Sequence, residues 1–108
     1  RAAMTRDLDE HGKPFLQKRQ GALRTVNAYV RVPVTHNQCN ALISLVCSIG
    51  EEAFRRSTLL HLLNQRRYTA VPDQLRRWIR KRGAIVPDLI QRREQEAALW
   101  STPDAVTD

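Results

Sequence analysis

Apolar and polar residues alternate along Leu23–Val34, the first clearly patterned stretch of the chain. Successive side chains of a strand point to opposite faces, so this alternation predicts a β-strand. The apolar face would be formed by Val26, Ala28, Val30, Val32 and Val34. Pro33 lacks an amide hydrogen, which places it at a sheet edge or at the end of the strand.

From Thr35 onward the apolar spacing becomes helical. Thr35 or Asn37 would cap a first helix that ends at Gly50, and a second helix is expected over about 51–67. Apolar residues recur at helical spacing along the first of these helices at Cys39, Leu42, Ile43, Val46 and Cys47.

A third helix is predicted over 72–82, closed by Gly83, with Tyr68 and Thr69 forming the turn before it. Residues 84–86 would form a short strand and 87–100 a last helix. The predicted fold is therefore mainly α: a trihelical helix-turn-helix core, possibly winged, with one short N-terminal β-strand and a C-terminal helix. Residues 1–22 would form an N-terminal arm, residues 23–100 a single DNA-binding domain, and residues 101–108 a flexible tail.

Positive charge is concentrated in the second half of the chain. The 108 residues carry a net charge of +7, yet between Arg55 and Arg93 eleven Lys or Arg face only two acids, Asp73 and Asp88. Such segregation favours a polyanionic partner, with double-stranded DNA first and RNA as an alternative.

The third helix would present its apolar side to the core and its polar side to the DNA major groove. The residues expected to read bases are Gln74, Arg76, Arg77 and Arg80. Those expected to bind phosphates are Arg55, Arg56, Arg66, Arg67, Thr69 and Lys81. A sequence-specific repressor is the function this arrangement predicts.

The stretch from Leu59 to Val86 resembles the N-terminal winged-helix domain of the arginine repressor family. The resemblance lies in Leu59, Leu63, Tyr68, Val71, Leu75, Arg77, Ile79 and the exit Gly83-Ala84-Ile85-Val86. It implies a winged-helix fold and the role of a recognition helix, but not arginine binding. Two departures from the family are Arg82, where an apolar residue is usual, and the lack of a second wing strand after Val86.

Residues 27–33 resemble instead the strand of ribbon-helix-helix repressors, which pairs with a dimer mate and enters the major groove. In that alternative the base-reading residues would be Asn27, Tyr29 and Arg31. Both architectures predict a homodimer.

Other chemistry finds little support in the sequence. His36, Cys39, Cys47 and His61 are spaced too widely for a zinc finger, so no metal and no cofactor are expected. No nucleophile or phosphate-loop motif is present, which predicts that the protein is not an enzyme. No apolar run could span a membrane and no secretion signal opens the chain, so a cytoplasmic, nucleoid-associated location is expected. A basic helical module that binds a protein partner is the remaining alternative.

Overall fold

The computed structural model describes residues 15–104. The chain is mainly helical, with one two-stranded antiparallel sheet. The helices are α1 (Phe15–Tyr29), α2 (His36–Ile49), α3 (Glu51–Arg55), α4 (Thr58–Asn64), α5 (Val71–Leu75) and α6 (Pro87–Trp100), and the strands are β1 (Arg80–Lys81) and β2 (Ala84–Ile85). A 3-10 turn at Tyr68–Ala70 precedes α5. The coarse prediction of a mainly α protein is confirmed.

Helix α1 occupies most of the segment predicted as a strand, so that prediction is wrong. The alternating pattern also contains a helical one, because Ala22, Thr25 and Val26 stand at positions i, i+3 and i+4. All three are buried, and α1 packs along α2. The burial available against α2 therefore overrides the strand preference of the β-branched residues. Residues 30–35 form an irregular connection.

Helix α2 lies where the sequence predicts a helix. The Thr35 hydroxyl accepts a hydrogen bond from the amide of Gln38 at 3.1 Å, and the Gln38 side chain accepts one from the amide of Thr35 at 2.9 Å. This capping box satisfies two amides that a helix start leaves without partners. Gly50 ends the helix with a positive φ of 90°, which glycine adopts without steric cost.

The predicted second helix is divided at Ser57. Its hydroxyl accepts a hydrogen bond from the amide of Leu60 at 3.1 Å and donates one to the carbonyl of Phe54 at 2.7 Å. Serine is a favoured N-cap, so a new helix, α4, begins immediately after it.

The predicted third helix is much shorter than expected. Helix α5 ends at Leu75, after five residues, and the chain then turns into the β1–β2 hairpin. The residues that should have formed a recognition helix therefore lie in a turn and a strand. Nothing in this segment forms the helix-turn-helix core that the sequence predicts.

The hydrophobic core is centred on α2, which packs against both α1 and α6. Its fully enclosed members include Ala41, Leu42, Leu45, Phe54, Leu59, Leu63, Val71 and Leu75. Helix α6 contributes Ala97 and Trp100, and the indole nitrogen of Trp100 donates a hydrogen bond to the carbonyl of Tyr68 at 3.2 Å.

The segment after α6 returns to the start of α2. Both carboxylate oxygens of Asp104 accept backbone hydrogen bonds at 2.8 Å, one from His36 and one from Asn37. The Asn37 side-chain amide donates in turn to the carbonyls of Thr102 and Pro103. Residues 102–104 are thus tied to α2 rather than left unattached.

Candidate functional site

A buried ion pair lies at the centre of the candidate site. Arg93 and Glu96, one turn apart on α6, have side chains that are 1% and 3% exposed. Arg93 Nη2 donates to Glu96 Oε2 at 2.8 Å, and Arg93 Nε lies 2.7 Å from Glu96 Oε1. Removing an ion from water is costly, so each buried charge of this pair needs the opposite charge of its partner to balance it.

Three neighbours complete this cluster. Ser44 on α2 donates to Glu96 Oε2 at 2.5 Å. Arg93 Nη1 donates to the hydroxyl of Ser48 and to the backbone carbonyl of Trp78, each at 3.3 Å. We call these five residues the Arg93–Glu96 cluster; it joins α2, α6 and the segment that leads into the hairpin. Burial raises the pKa of the Glu96 carboxyl, and the Ser44 hydroxyl and Arg93 act against that rise.

A pocket of about 320 Å³ opens beside the cluster. It is lined by Ser48, Ile49, Trp78, Arg80, Lys81, Arg82, Leu89 and Arg93. The Trp78 side chain is half-buried, whereas the hairpin residues are exposed. No carboxylate lines this pocket, so its open side is strongly basic. We call it the Trp78 pocket.

The hairpin that forms one wall has a two-residue turn. Arg80 pairs with Ile85 and Lys81 with Ala84, which leaves Arg82 and Gly83 at the tip with φ values of 55° and 83°. Two consecutive residues with positive φ are characteristic of the turn that best fits the twist of a hairpin. The amide of Val86 donates to the carbonyl of Ile79 at 2.9 Å and continues the pairing at the open end of the hairpin.

A larger basic cleft of about 720 Å³ lies at the junction of α1, α3 and α4. Its lining residues are Tyr29, Arg31, Arg55, Arg56, Ser57, Thr58, Leu60, His61 and Asn64. Glu52 partly neutralises this cleft, because it forms ion pairs with Arg55 at 2.6 Å and Arg56 at 3.3 Å.

The residues predicted to read DNA bases do not share a surface of the kind expected. Arg76 is held between two acids, with ion pairs to Asp73 at 3.1 Å and Glu94 at 2.9 Å. Gln74 is half-buried on α5, and Arg77 is exposed in the turn that follows. Of the four residues predicted to read bases, only Arg80 lines the Trp78 pocket.

The residues predicted to bind phosphates are dispersed over three regions. Arg55 and Arg56 line the larger cleft, while Lys81 lines the Trp78 pocket. Arg66, Arg67 and Thr69 lie in the connection after α4. In the ribbon alternative, Asn27 and Tyr29 belong to the last turn of α1, and Arg31 follows it, so no ribbon is formed.

Most of the seven carboxylates between residues 15 and 104 form contacts that stabilise the fold. Glu96 is buried, Asp104 caps α2, and Glu51 accepts a hydrogen bond from the Tyr29 hydroxyl at 3.2 Å. Glu52, Asp73 and Glu94 are in ion pairs with arginine. The seventh, Asp88, is in the first turn of α6. None of the seven lines the Trp78 pocket.

Across the described part of the chain, no three side chains of His, Cys, Asp or Glu come close enough to hold an ion. Cys39 and Cys47 are free thiols, and burial raises the pKa of both. Within the same residues, none of the helices has the length and apolar character needed to cross a bilayer.

Comparison with known proteins identifies the family to which this chain belongs. The model of the phage lysozyme family matches residues 5–96. The chain therefore belongs to the phage lysozyme family.

Particular relatives agree with this assignment. The chain is 42% identical to the endolysin of Salmonella phage P22 over 76 residues, which covers 69% of this chain and 51% of the endolysin. It is 40% identical to the SAR-endolysin of Escherichia phage Mu over 76 residues, covering 70% of this chain and 44% of that protein. The chain thus spans about half the length of these curated relatives.

The fold is also found in a solved structure. The muramidase domain of SpmX from Asticaccaulis excentricus superposes with a TM-score of 0.78 at 32% identity, covering 83% of this chain and 64% of that one.

Family membership overturns most of the functional predictions. The resemblance to helix-turn-helix and ribbon-helix-helix repressors is wrong, as are the expectations of a DNA-binding regulator and of a homodimer on double-stranded DNA. The RNA alternative and the nucleoid-associated location find no support in these comparisons. The prediction that the protein is not an enzyme is also wrong, because the matching family is that of lysozyme.

Sequence reasoning missed the Arg93–Glu96 cluster. The signal was present, because Arg93 and Glu96 stand at i and i+3 and share a helical face with Ala97 and Trp100. Charged residues are rarely buried unless paired, and a partner pair on an apolar face is the pattern that could have revealed the cluster.

Proposed function

We propose that the protein containing this chain is an endolysin-type muramidase that hydrolyses the glycan of peptidoglycan, and that the Trp78 pocket faces the substrate. The observation that carries this proposal is the family match over residues 5–96, together with the same fold in a muramidase domain.

The chemistry of glycoside hydrolysis limits what the described residues can contribute. Most such enzymes use two carboxyl groups on either side of the scissile bond, one of them a general acid. Within residues 15–104, Glu96 has the raised pKa of an acid, but it is enclosed and held by Arg93 and Ser44. We therefore assign Glu96 a structural role, and we expect the acid of the reaction to come from outside residues 15–104.

The described residues suit the task of binding. The half-buried indole of Trp78 offers a flat apolar face, which sugar rings stack against, while the surrounding basic and hydroxyl groups supply hydrogen-bond donors. Concave sites of this kind, apolar at the base with a few polar groups at the rim, are the usual form of ligand pockets. Because the Arg93–Glu96 cluster anchors the Trp78 carbonyl, the pocket is preorganised by buried contacts rather than by mobile side chains.

The proposal is tested by two measurements on purified peptidoglycan. The full-length protein that contains this chain should release new reducing ends, and the 108-residue chain should co-sediment with the polymer. Trp78→Ala should weaken sedimentation about tenfold, since aromatic side chains at the centre of a binding site supply much of the binding free energy. Ile90→Ala serves as the matched control, because Ile90 is 40% exposed on α6 but does not line the pocket.

Two results would count against the proposal. A folded complete protein that releases no reducing ends would remove the muramidase assignment. A Trp78→Ala variant that sediments as well as the Ile90→Ala control would remove the pocket from the substrate site.

A further inference from the structure

We propose that the hairpin residues Arg80, Lys81 and Arg82 bind carboxylate groups on the peptides that substitute the glycan of peptidoglycan. This inference rests on the proposed function, and it names the part of the substrate that the basic wall of the Trp78 pocket recognises.

The first observation is the backbone of Arg82. Its φ of 55° is in the left-handed region, which costs an ordinary L-residue about 1 kcal/mol or more relative to glycine. Gly, Asn and Asp are the residues that such turn positions favour. Arg82 differs from Arg66, whose φ of 65° is also positive, because Arg82 lines the Trp78 pocket.

The second observation is the charge of the pocket. Within the described residues, none of the three hairpin cations has an ion-pair partner. The charge of Arg93, by contrast, is balanced by Glu96. An anion that enters the Trp78 pocket would therefore be attracted mainly by the hairpin.

The third observation concerns the apolar residues that line the Trp78 pocket. Ile49, Trp78 and Leu89 place apolar surface directly beside the cations. A carboxylate carried on an aliphatic amino-acid chain presents the same two properties side by side. A pocket of about 320 Å³ accommodates such a group and its neighbouring amide, and guanidinium groups match the planar carboxylate by paired hydrogen bonds.

The decisive variant is Arg82→Gly, because glycine suits the turn while it removes the side chain. Arg66→Gly is a matched control: Arg66 also has a positive φ, 65°, but it lies outside the pocket. Both variants should melt no lower than the wild type. Dissociation constants are measured for intact peptidoglycan and for glycan strands stripped of their peptides by an amidase.

We expect the wild type to bind intact peptidoglycan more tightly than stripped glycan. Arg82→Gly should lose that preference, with intact peptidoglycan bound about five- to tenfold more weakly, whereas Arg66→Gly should keep it. Equal affinity of the wild type for the two polymers, or wild-type affinity of Arg82→Gly, would overturn the inference.

A second measurement separates this inference from the proposed function. The soluble tetrapeptide stem is titrated while the indole resonances are followed; Trp78 should shift, and the buried Trp100 serves as the internal reference. A stem-dependent shift that Arg82→Gly abolishes would support the hairpin site even if no glycan is bound or cleaved. A Trp78 resonance unmoved by the stem peptide would reject it.

Discussion

Arg93 and Glu96 form an ion pair that is closed off from solvent, with side chains 1% and 3% exposed and a shortest N–O distance of 2.7 Å. The pair lies between α2 and the segment that leads into the hairpin. Its two charges balance each other, and its side chains also form hydrogen bonds with Ser44, Ser48 and the Trp78 carbonyl. Removing one partner would leave the other charge buried without compensation.

Single substitutions in this pair should therefore be severe. Arg93→Met or Glu96→Leu is expected to lower the free energy of unfolding by about 3–5 kcal/mol. The double substitution should recover much of that loss, because it leaves no uncompensated charge. Urea unfolding of the two single variants and the double variant measures the coupling. Strictly additive losses would show that the two side chains do not act as a pair.

The division between α3 and α4 depends on Ser57. Ser57→Ala removes a hydroxyl that both caps α4 and donates to the carbonyl of Phe54. We expect a loss of about 1–2 kcal/mol in unfolding free energy. Thr58→Ala, at the exposed neighbouring position, is the control and should change stability by less than about 0.5 kcal/mol. Equal effects of the two changes would contradict the capping role.

Asn64 links the end of α1 to the end of α4. Its side-chain amide donates to the carbonyl of Tyr29 at 2.9 Å, and its oxygen accepts from the amide of Arg31 at 2.8 Å. Asn64→Ala should cost about 1–2 kcal/mol of unfolding free energy, measured by thermal denaturation. Asn64→Asp keeps the acceptor and loses the donor, so it should fall between the wild type and the alanine variant. A wild-type melting temperature for Asn64→Ala would show that this link is replaced by water without loss.

Asp104 should make stability depend on pH in the acid range. The amides of Asn37 and His36 hold the pKa of its carboxyl below the ordinary value, which is about 3.9. For a carboxyl with a lowered pKa in the folded state, the stabilisation is present above the ordinary pKa and is lost as the pH falls through the lowered one.

The matching variant is Asp104→Asn, in which the pH-dependent contribution disappears. Melting temperatures recorded between about pH 6 and pH 2 should fall less steeply for the variant than for the wild type. Parallel curves for the two proteins would show that Asp104 does not retain its carboxylate contacts in solution.

The sequence predicts best what is decided locally. A cap at Thr35 or Asn37 and a last helix over 87–100 follow from neighbouring residues; the structure places the cap at Thr35 and the helix at Pro87–Trp100. The strand over 23–34 fails because Ala22 and Val26 satisfy a helical spacing as well as an alternating one, and only the position of α2 decides between them. The long third helix fails for a similar reason, since the hairpin pairing of Lys81 with Ala84 competes with helix formation.

The candidate site was less accessible to sequence reasoning. Positive charge in the second half of the chain predicts Arg80 and Lys81 as DNA contacts, and both line the Trp78 pocket, but charge alone does not distinguish a phosphate backbone from a carboxylate. The Arg93–Glu96 cluster depends on burial by α2, 45–52 residues away in sequence, and this long-range information is absent from local spacing.

The tie between Asp104 and the start of α2 has a consequence for the order of folding. The two contacts span 67 and 68 residues, and α2 also packs against α6. During synthesis, α2 therefore lacks its contacts with α6 and the hydrogen bonds at its first turn until Asp104 has left the ribosome. Contacts so distant in sequence slow folding, and nascent chains that stall before Asp104 should be readily cleaved by proteases.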